Sequence, residues 1–495
     1  MLTAPRSSWR PLLASNAFAA LVVFALTFSV AGFSVQRRLP LGDVARLTDE
    51  WYTLGVNVAS RGVLGLEDEP ILLRAPGYPF FIAVSLWTFA GDPRPVTWAY
   101  LDRGQYAVYL AQAVVLAATA AVLYLWLLRV GRRRVALVSA LAFGLNPYSV
   151  VLTTLLHYDV LHIFFLVSGG WALGSAFEAP GEGRRWPWLG AGLVWGLATL
   201  VRPITLLLPA FVLAALFVRR GTSRRDALRS TALFGAGLAL AVLPWTARNY
   251  SLSGRLIPVN DQGWAAVWGS TTKPLGTHPN HYKWYSLLPE QKQIYLRVSG
   301  RPDFDYLTYV RANRAYEAAF REEALRNLRR SPGVYLGNAV AGVVSLCLDI
   351  NSVFLKAYEY RQATGVPPQT SWFIVGHPQG FHPGGTSRAF AAYATLMTVL
   401  AAGGLLVAFR GRDPRVLGPA AVFACLAFGH AIAYMDLMYY YQRVPFLFVF
   451  ASFLVDRAQG RHVPLPGLGR RIPLGPLLLL AVASGVVLTP VLLAP

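Results

Sequence analysis

Apolar runs close to the length of a bilayer crossing recur along this chain: Ala14 to Ser34, Tyr106 to Leu128, Ala389 to Phe409 and Leu474 to Leu493. A helix needs about 20 such residues to cross the hydrocarbon core, where every backbone polar group must be bonded within the protein. Of the 495 residues, 55% are hydrophobic and 14% charged, with a mean hydropathy of +0.43. A water-soluble domain exposing that mixture would aggregate. The expectation is an all-α polytopic membrane protein of about 11 to 13 transmembrane helices with external juxtamembrane helices, and not a soluble enzyme.

A net charge of +21 invites a nucleic-acid reading, but the arginines stand in short clusters between apolar runs. Arg129 and Arg132 to Arg134 form one cluster, and Arg219, Arg220, Arg224, Arg225 and Arg229 a second. Arg410, Arg412 and Arg415 form a third, and Arg457, Arg461, Arg470 and Arg471 a fourth. That is the positive-inside pattern, and it predicts all four on the cytoplasmic side with no nucleic-acid partner. Cys347 and Cys425 both lie in apolar stretches, which argues against a disulfide framework. The first run follows Arg6 and Arg10 as a secretory signal would, yet it is long and precedes many more spans, so it reads as an uncleaved helix.

Alternating the crossings from a cytoplasmic amino terminus predicts spans over Ala14–Ser34, Tyr106–Leu128, Val135–Leu155 and Val160–Phe177. A shorter pair between Trp188 and Val218 turns near Arg202 and Pro203, and Leu233–Trp245 follows. Residues 1–248 then form a transmembrane core with a first external loop over 35–105. Residues 249–332 form an external region, and 333–495 carry the last spans with an external loop over 356–388. Tyr306–Arg330 reads as an amphipathic helix at the membrane surface, and Val334–Leu348 as interfacial or re-entrant, because counting it as a span would put Arg410 outside. The charges gather at helix ends, and no transporter-type repeat is visible.

Chemistry is sought in the external regions. The first loop holds Asp49-Glu50-Trp51-Tyr52, then Asn57 to Gly62, Glu67-Asp68-Glu69 and Arg74-Ala75-Pro76-Gly77-Tyr78-Pro79. Tyr52, Val56 and Ala59 recur at helical spacing, so Asp49 and Glu50 would open a short helix, and taken alone Asp49 reads as its cap. On residue type alone, Arg202 and Arg248 read as interface anchors, His157 as interfacial, and Asp159 as the cap of its span. Trp264, Trp268, Trp284 and Tyr285 could stack on sugar rings or on lipid, though aromatic residues are ordinary at membrane interfaces. His278, His281, His377 and His382 are too loosely spaced for a zinc site.

The ordered set of these motifs resembles the GT-C glycosyltransferases. It is most similar to the branch of protein O-mannosyltransferases and lipid A aminoarabinose transferases, the glycosyltransferase family 39 type. The resemblance rests on the first-loop run from Asp49 through Asn57 and Gly62 to Pro79, and on His157-Tyr158-Asp159 opening a span. Gly196-Leu197-Ala198 through Arg202-Pro203 and Pro244-Trp245-Thr246-Ala247-Arg248-Asn249-Tyr250 with Gly254 complete it, over roughly the first half of the chain. Two departures stand out. Leu73 occupies a position where aminoarabinose transferases carry glutamate, and Tyr441-Gln442-Arg443-Val444-Pro445 keeps Arg443 but not the preceding arginine of many relatives.

The resemblance implies a GT-C fold and an inverting enzyme of the cytoplasmic membrane. Such an enzyme passes a monosaccharide, hexose or pentose, from a polyprenyl-phosphate-linked donor to a hydroxyl acceptor at the outer face. It implies Asp49 as the catalytic base with Glu50 beside it. It also implies substrate contacts from Arg74, Tyr78, Asp159, Arg202, Arg248, Tyr52 and His157, and no cofactor, since this branch commonly uses no divalent metal. Arginine suits the phosphate because its planar fork donates two parallel hydrogen bonds. Two other readings stay open: a transporter or flippase of lipid-linked sugars, which needs the cations but no base, and a non-catalytic membrane scaffold.

Overall fold

In a computed structural model of the chain, the described residues are 9–37, 50–66, 68–92, 98–178, 186–272, 289–301, 306–348, 385–432, 442–459, 462–464, 471–476, 478–480 and 482. Among them five helices are long and apolar enough to cross a membrane, spanning Asn16–Gln36, Arg103–Val130, Asp159–Glu178, Arg224–Ser253 and Pro414–Ile432. Shorter apolar helices cover Gly77–Phe89, Trp186–Val201, Pro203–Val218 and Thr395–Gly411. The chain is thus a predominantly helical, multi-pass membrane protein.

In chain order, α1 is Trp9–Arg37, α2 Glu50–Arg61, α3 Gly77–Phe89, α4 Trp98–Val130, α5 Arg133–Gly144, α6 Pro147–Leu152 and α7 Asp159–Glu178. Then come α8 Trp186–Val201, a 3-10 turn over Pro203–Leu207, α9 Leu208–Val218 and α10 Arg224–Ser253. The outer helices are α11 Gly263–Thr272, α12 Pro289–Ser299, α13 Tyr306–Arg311 and α14 Asn313–Arg330. The chain continues through α15 Pro332–Leu348, α16 Gly385–Gly411, α17 Pro414–Ile432 and α18 Val444–Ala458. Two short antiparallel ribbons pair Gly65–Leu66 with Glu69–Pro70 and His462–Pro464 with Arg471–Pro473.

Close helix packing relies on small residues, as expected where lipid removes the hydrophobic drive between helices. A Cβ at Gly192 or Gly196 of α8 would meet the backbone of Phe234 or Leu238 in α10, and one at Gly237 of α10 would meet that of Leu189. The basic clusters interlock at one end of the bundle. Arg129 at the end of α4 pairs with Glu178 at the end of α7, and the Arg132 amide donates to Asp456 near the end of α18. Asp413, between α16 and α17, holds Arg415 and Arg457. The sequence-predicted side-sharing of three of the four clusters therefore appears as direct contact.

Three expectations need correction. The predicted span Val135–Leu155 is broken: α5 ends at Gly144 and Pro147 starts α6, because proline carries no N–H to continue the earlier ladder. The first loop contains an apolar helix, α3, whose Phe80, Val84 and Trp87 form an exposed stripe facing outward from the bundle. The amphipathic stretch Tyr306–Arg330 divides at Ala312, and its apolar face does not lie on lipid. Tyr309, Tyr316, Ala319 and Phe320 share a core with Leu54, Val58, Leu73, Trp268 and Tyr295, so residues of the first loop and of 249–332 form one folded unit. A face carrying buried Asn313 and Glu317 would be costly against hydrocarbon. Most of the run Leu474–Leu493 lies outside the described residues.

Candidate active site

The site begins with a stretch of backbone that is not helical. Between α6 and α7 the chain runs irregularly, and the carbonyls of Thr153 and Leu155 both accept from Gln112 Nε2, at 2.9 and 2.8 Å. Non-helical backbone inside a bundle is stable only with such partners. Gln112 itself stands in the apolar interior of α4, and its Oε1 accepts from the Tyr78 hydroxyl at 2.9 Å. The irregular segment delivers His157, Tyr158 and Asp159 to the head of α7.

Asp159 is 0% exposed. A carboxylate taken wholly from water loses several kcal/mol of hydration unless paired and hydrogen-bonded, and here it is both. His157 Nδ1 lies 2.8 Å from Asp159 Oδ2, and Gln442 Nε2 donates to Oδ1 at 3.3 Å. Arg202 acts on it electrostatically. Pro203 disfavours helix at Arg202, which takes extended φ −150° and ψ 118°, so the guanidinium leaves α8 and turns inward. His162, a turn along α7, feels both Asp159 and Arg202. His430 near the end of α17 feels Arg202 and Arg443, the last being 0% exposed at the head of α18.

A ladder of cations and rings links this cluster to the first loop. The Arg202 guanidinium stands 5.6 Å from the Tyr158 ring centre. Tyr158 meets Trp51 edge-on at 5.3 Å, and Arg74 stands 5.2 Å from the Trp51 ring centre. Trp51 also meets Tyr78 edge-on at 6.0 Å. The approach depends on Gly77, where an added Cβ would fall 2.6 Å from the Val201 side chain and 2.9 Å from its backbone, so α3 can start directly against the end of α8.

Of the residues singled out in the sequence, Arg74, Tyr78, His157, Asp159 and Arg202 are brought into this one assembly. Tyr52 is buried beside it, its hydroxyl donating to the Leu101 carbonyl at 2.6 Å, a tie between α2 and α4. Arg248 spends its donors on the scaffold, reaching the carbonyls of Ile71 and Leu64 at 2.9 and 3.2 Å while standing 4.4 Å from the Trp245 ring centre. Glu50 begins α2, as the helical spacing predicted. Asp49, with His278, His281, Trp284, Tyr285, His377 and His382, lies outside the described residues.

Sequence reasoning missed Trp51, Gln112 and Gln442. For Gln112 a signal existed, since a carboxamide in the middle of an apolar run is expensive without a task. As built, the set can hold an anion against guanidinium groups while a buried carboxylate orients or accepts a proton.

Residues 98–247 match the family described as Dolichyl-phosphate-mannose-protein mannosyltransferase. That segment contains Gln112, His157, Asp159 and Arg202, and it agrees with the GT-C resemblance of the motifs. The sequence matches no curated protein. Among solved structures, the chain is similar to the oligosaccharyltransferase AglB from Archaeoglobus fulgidus in complex with an inhibitory peptide and a dolichol-phosphate. The TM-score is 0.48 and the identity 13%, covering 95% of this chain and 55% of that one. It is also similar to ArnT from Cupriavidus metallidurans bound to undecaprenyl phosphate, with TM-score 0.41 and identity 14%, covering 92% and 79%. The chain spans about half the length of the archaeal enzyme.

Proposed function

We propose that this chain is an inverting membrane glycosyltransferase. It moves a monosaccharide from a polyprenyl-phosphate-linked donor to a hydroxyl acceptor at the outer face of the cytoplasmic membrane. One observation carries the reading: Asp159, held by His157 and Gln442 beside Arg202, lies within the family-matched segment at the head of α7, whose other end, Glu178, pairs with a basic cluster. The helix has 20 residues. At 1.5 Å per residue that is roughly 30 Å, a full hydrocarbon thickness. If the arginine clusters are cytoplasmic, the acid is external.

In the reaction the acceptor oxygen forms a bond to the anomeric carbon as the bond from that carbon to the phosphate oxygen breaks, and the phosphate leaves with the electron pair. Asp49, matched through the first-loop motif and adjacent in sequence to α2, takes the hydroxyl proton. Arg74 and Arg202 stabilise the departing phosphate, and Asp159 with His157 orients the groups that meet it. Inversion follows from a single displacement.

The test is purified full-length protein in lipid nanodiscs, given labelled polyprenyl-phosphate sugars and a mixed envelope-lipid and peptide acceptor pool. Release of polyprenyl phosphate coupled to a glycosylated product is expected. Glu50 and Asp49 are compared as Asn or Gln variants, and Asp49→Asn should abolish transfer. A donor panel that yields no product would refute the transferase reading, and a fully active Asp49→Asn would remove Asp49 as the base.

A further inference from the structure

Glu317 is a buried acid with no direct contact to Asp159, in the second core that joins the first loop to α11 and α14. It sits on α14, and its carboxylate accepts from the amides of Trp264 at 2.8 Å and Ala265 at 3.4 Å, in the first turn of α11. Those amides have no carbonyl of their own helix to bond, and a carboxylate also complements the helix dipole there. Asn313, at the start of the same α14, donates to the Asp261 carbonyl at 2.8 Å. The two side chains grip the point where the chain enters α11.

The segment just before that point is laced to the first loop. The Asp261 amide donates to the Leu72 carbonyl at 2.8 Å, Asn260 Nδ2 donates to the Leu73 carbonyl at 3.1 Å, and Arg74 donates to Gln262 Oε1. Consecutive residues 260–262 therefore fix consecutive residues 72–74, ending on the guanidinium that leans over Trp51. Upstream the segment is anchored to α10, where Trp245 and Asn249 each donate to the Val259 carbonyl at 2.9 Å. The α11 end has its anchor in Glu317 and Asn313.

We propose that Glu317 is a positioning residue for Arg74: by capping α11 it holds Gln262 in register and, through Gln262, sets the guanidinium for the donor phosphate. Replacing Glu317 alone by an apolar residue would leave the Trp264 and Ala265 amides without their acceptor and release the entry into α11.

The inference rests on the phosphate-binding reading of Arg74. Full-length wild type, Glu317→Leu, Gln262→Ala and the double variant are titrated in detergent with undecaprenyl phosphate. Loss of a cap or of one charge-assisted hydrogen bond predicts a Kd raised about 5- to 10-fold in each single variant. The thermal midpoint of Glu317→Leu should fall as its cap is lost, whereas that of Gln262→Ala, which leaves the cap in place, should stay close to wild type while its affinity still drops. The double variant should bind no worse than the weaker single variant, because both break one relay. Glu317→Gln, which keeps one acceptor oxygen, should give an intermediate Kd, and it serves if the Leu variant does not fold.

Additive effects, or a Glu317→Leu affinity within about twofold of wild type, would overturn the proposal. If wild type itself fails to bind undecaprenyl phosphate, the phosphate reading of Arg74 falls, and the relay is judged by amide exchange alone. The Asp261 amide must then exchange faster in Glu317→Leu than in wild type, and equal rates would sink the relay too.

Discussion

His157 Nδ1 lies 2.8 Å from Asp159 Oδ2, and the two residues are brought side by side because the chain between α6 and α7 is not helical. Within a regular helix, residues two apart face away from each other. The irregular run after Leu152, with its carbonyls held by Gln112, is thus what makes the pair possible. A second partner, Gln442, is 283 residues away in sequence. Asp159→Asn keeps the shape and removes the charge, so transfer should fall about 100-fold in kcat. Steady-state kinetics at saturating donor checks this, and an unchanged kcat would assign Asp159 to scaffolding.

Arg74 should act mainly in donor binding. Removing a guanidinium that meets a phosphate through a charge-assisted bond predicts a KM for the lipid donor raised about 10- to 100-fold in Arg74→Ala. Arg74→Lys should fall between, since it keeps the charge but loses the fork and the flat contact with Trp51. If the Lys variant proves as weak as the Ala variant, shape rather than charge is what Arg74 supplies.

Gly77 sets the distance between the first loop and the Arg202 turn. Gly77→Val would push its side chain into Val201, where even a Cβ has no room, and overpacking of this kind costs about 1–3 kcal/mol. The expected result is a lower thermal midpoint in detergent and loss of transfer together. Gly91→Ala makes a poor control because of its positive φ, whereas Gly190→Ala, with open space around its Cβ, should leave both unchanged.

How legible these features are in sequence follows from how local their causes are. The spans show because each must satisfy its own backbone, so apolarity alone marks α1, α4 and α7. Arg202-Pro203 shows because proline acts on its immediate neighbour. Helix α3 hides because its 13 residues fall short of a crossing, and the reading of 35–105 as one external loop absorbs it. The division of Val135–Leu155 hides because the apolar run continues across Pro147. Trp51, which joins Arg74 to Tyr158, hides because an aromatic near a membrane surface is unremarkable until its neighbours are known.

Asp413 predicts an acid limit to stability. Burial alone would raise its carboxyl, but hydrogen bonds from the Arg415 side chain and amide, the charge of Arg415 and a bond from Arg457 overcome this and hold it below the usual 3.8. A carboxylate lowered by folding adds stability that is present above its unfolded value and is lost as pH falls through the folded one. The thermal midpoint should therefore drop on acidification below about pH 4. Asp413→Asn should start lower and show a shallower drop, and an identical acid profile in the variant would exclude this cluster as its source.

Glu317 carries the opposite sign. Burial pushes its carboxyl from 4.5 up to about 7, against the pull of the Trp264 and Ala265 amides, with Asp261 adding to the rise and Arg255 opposing it. A carboxyl raised by folding binds its proton more tightly in the folded state, so its contribution is fully present below 4.5 and is lost as pH rises through about 7. The midpoint of wild type should fall between pH 5 and 7.5 by more than that of Glu317→Gln, which has no proton to lose. Above that window the ionised carboxylate still serves as the better acceptor for the two amides, so stability and placement of Arg74 make opposite demands on one group. Two profiles that fall in parallel would mean that Glu317 is ionised throughout, and that the folded unit around α11 tolerates the charge without cost.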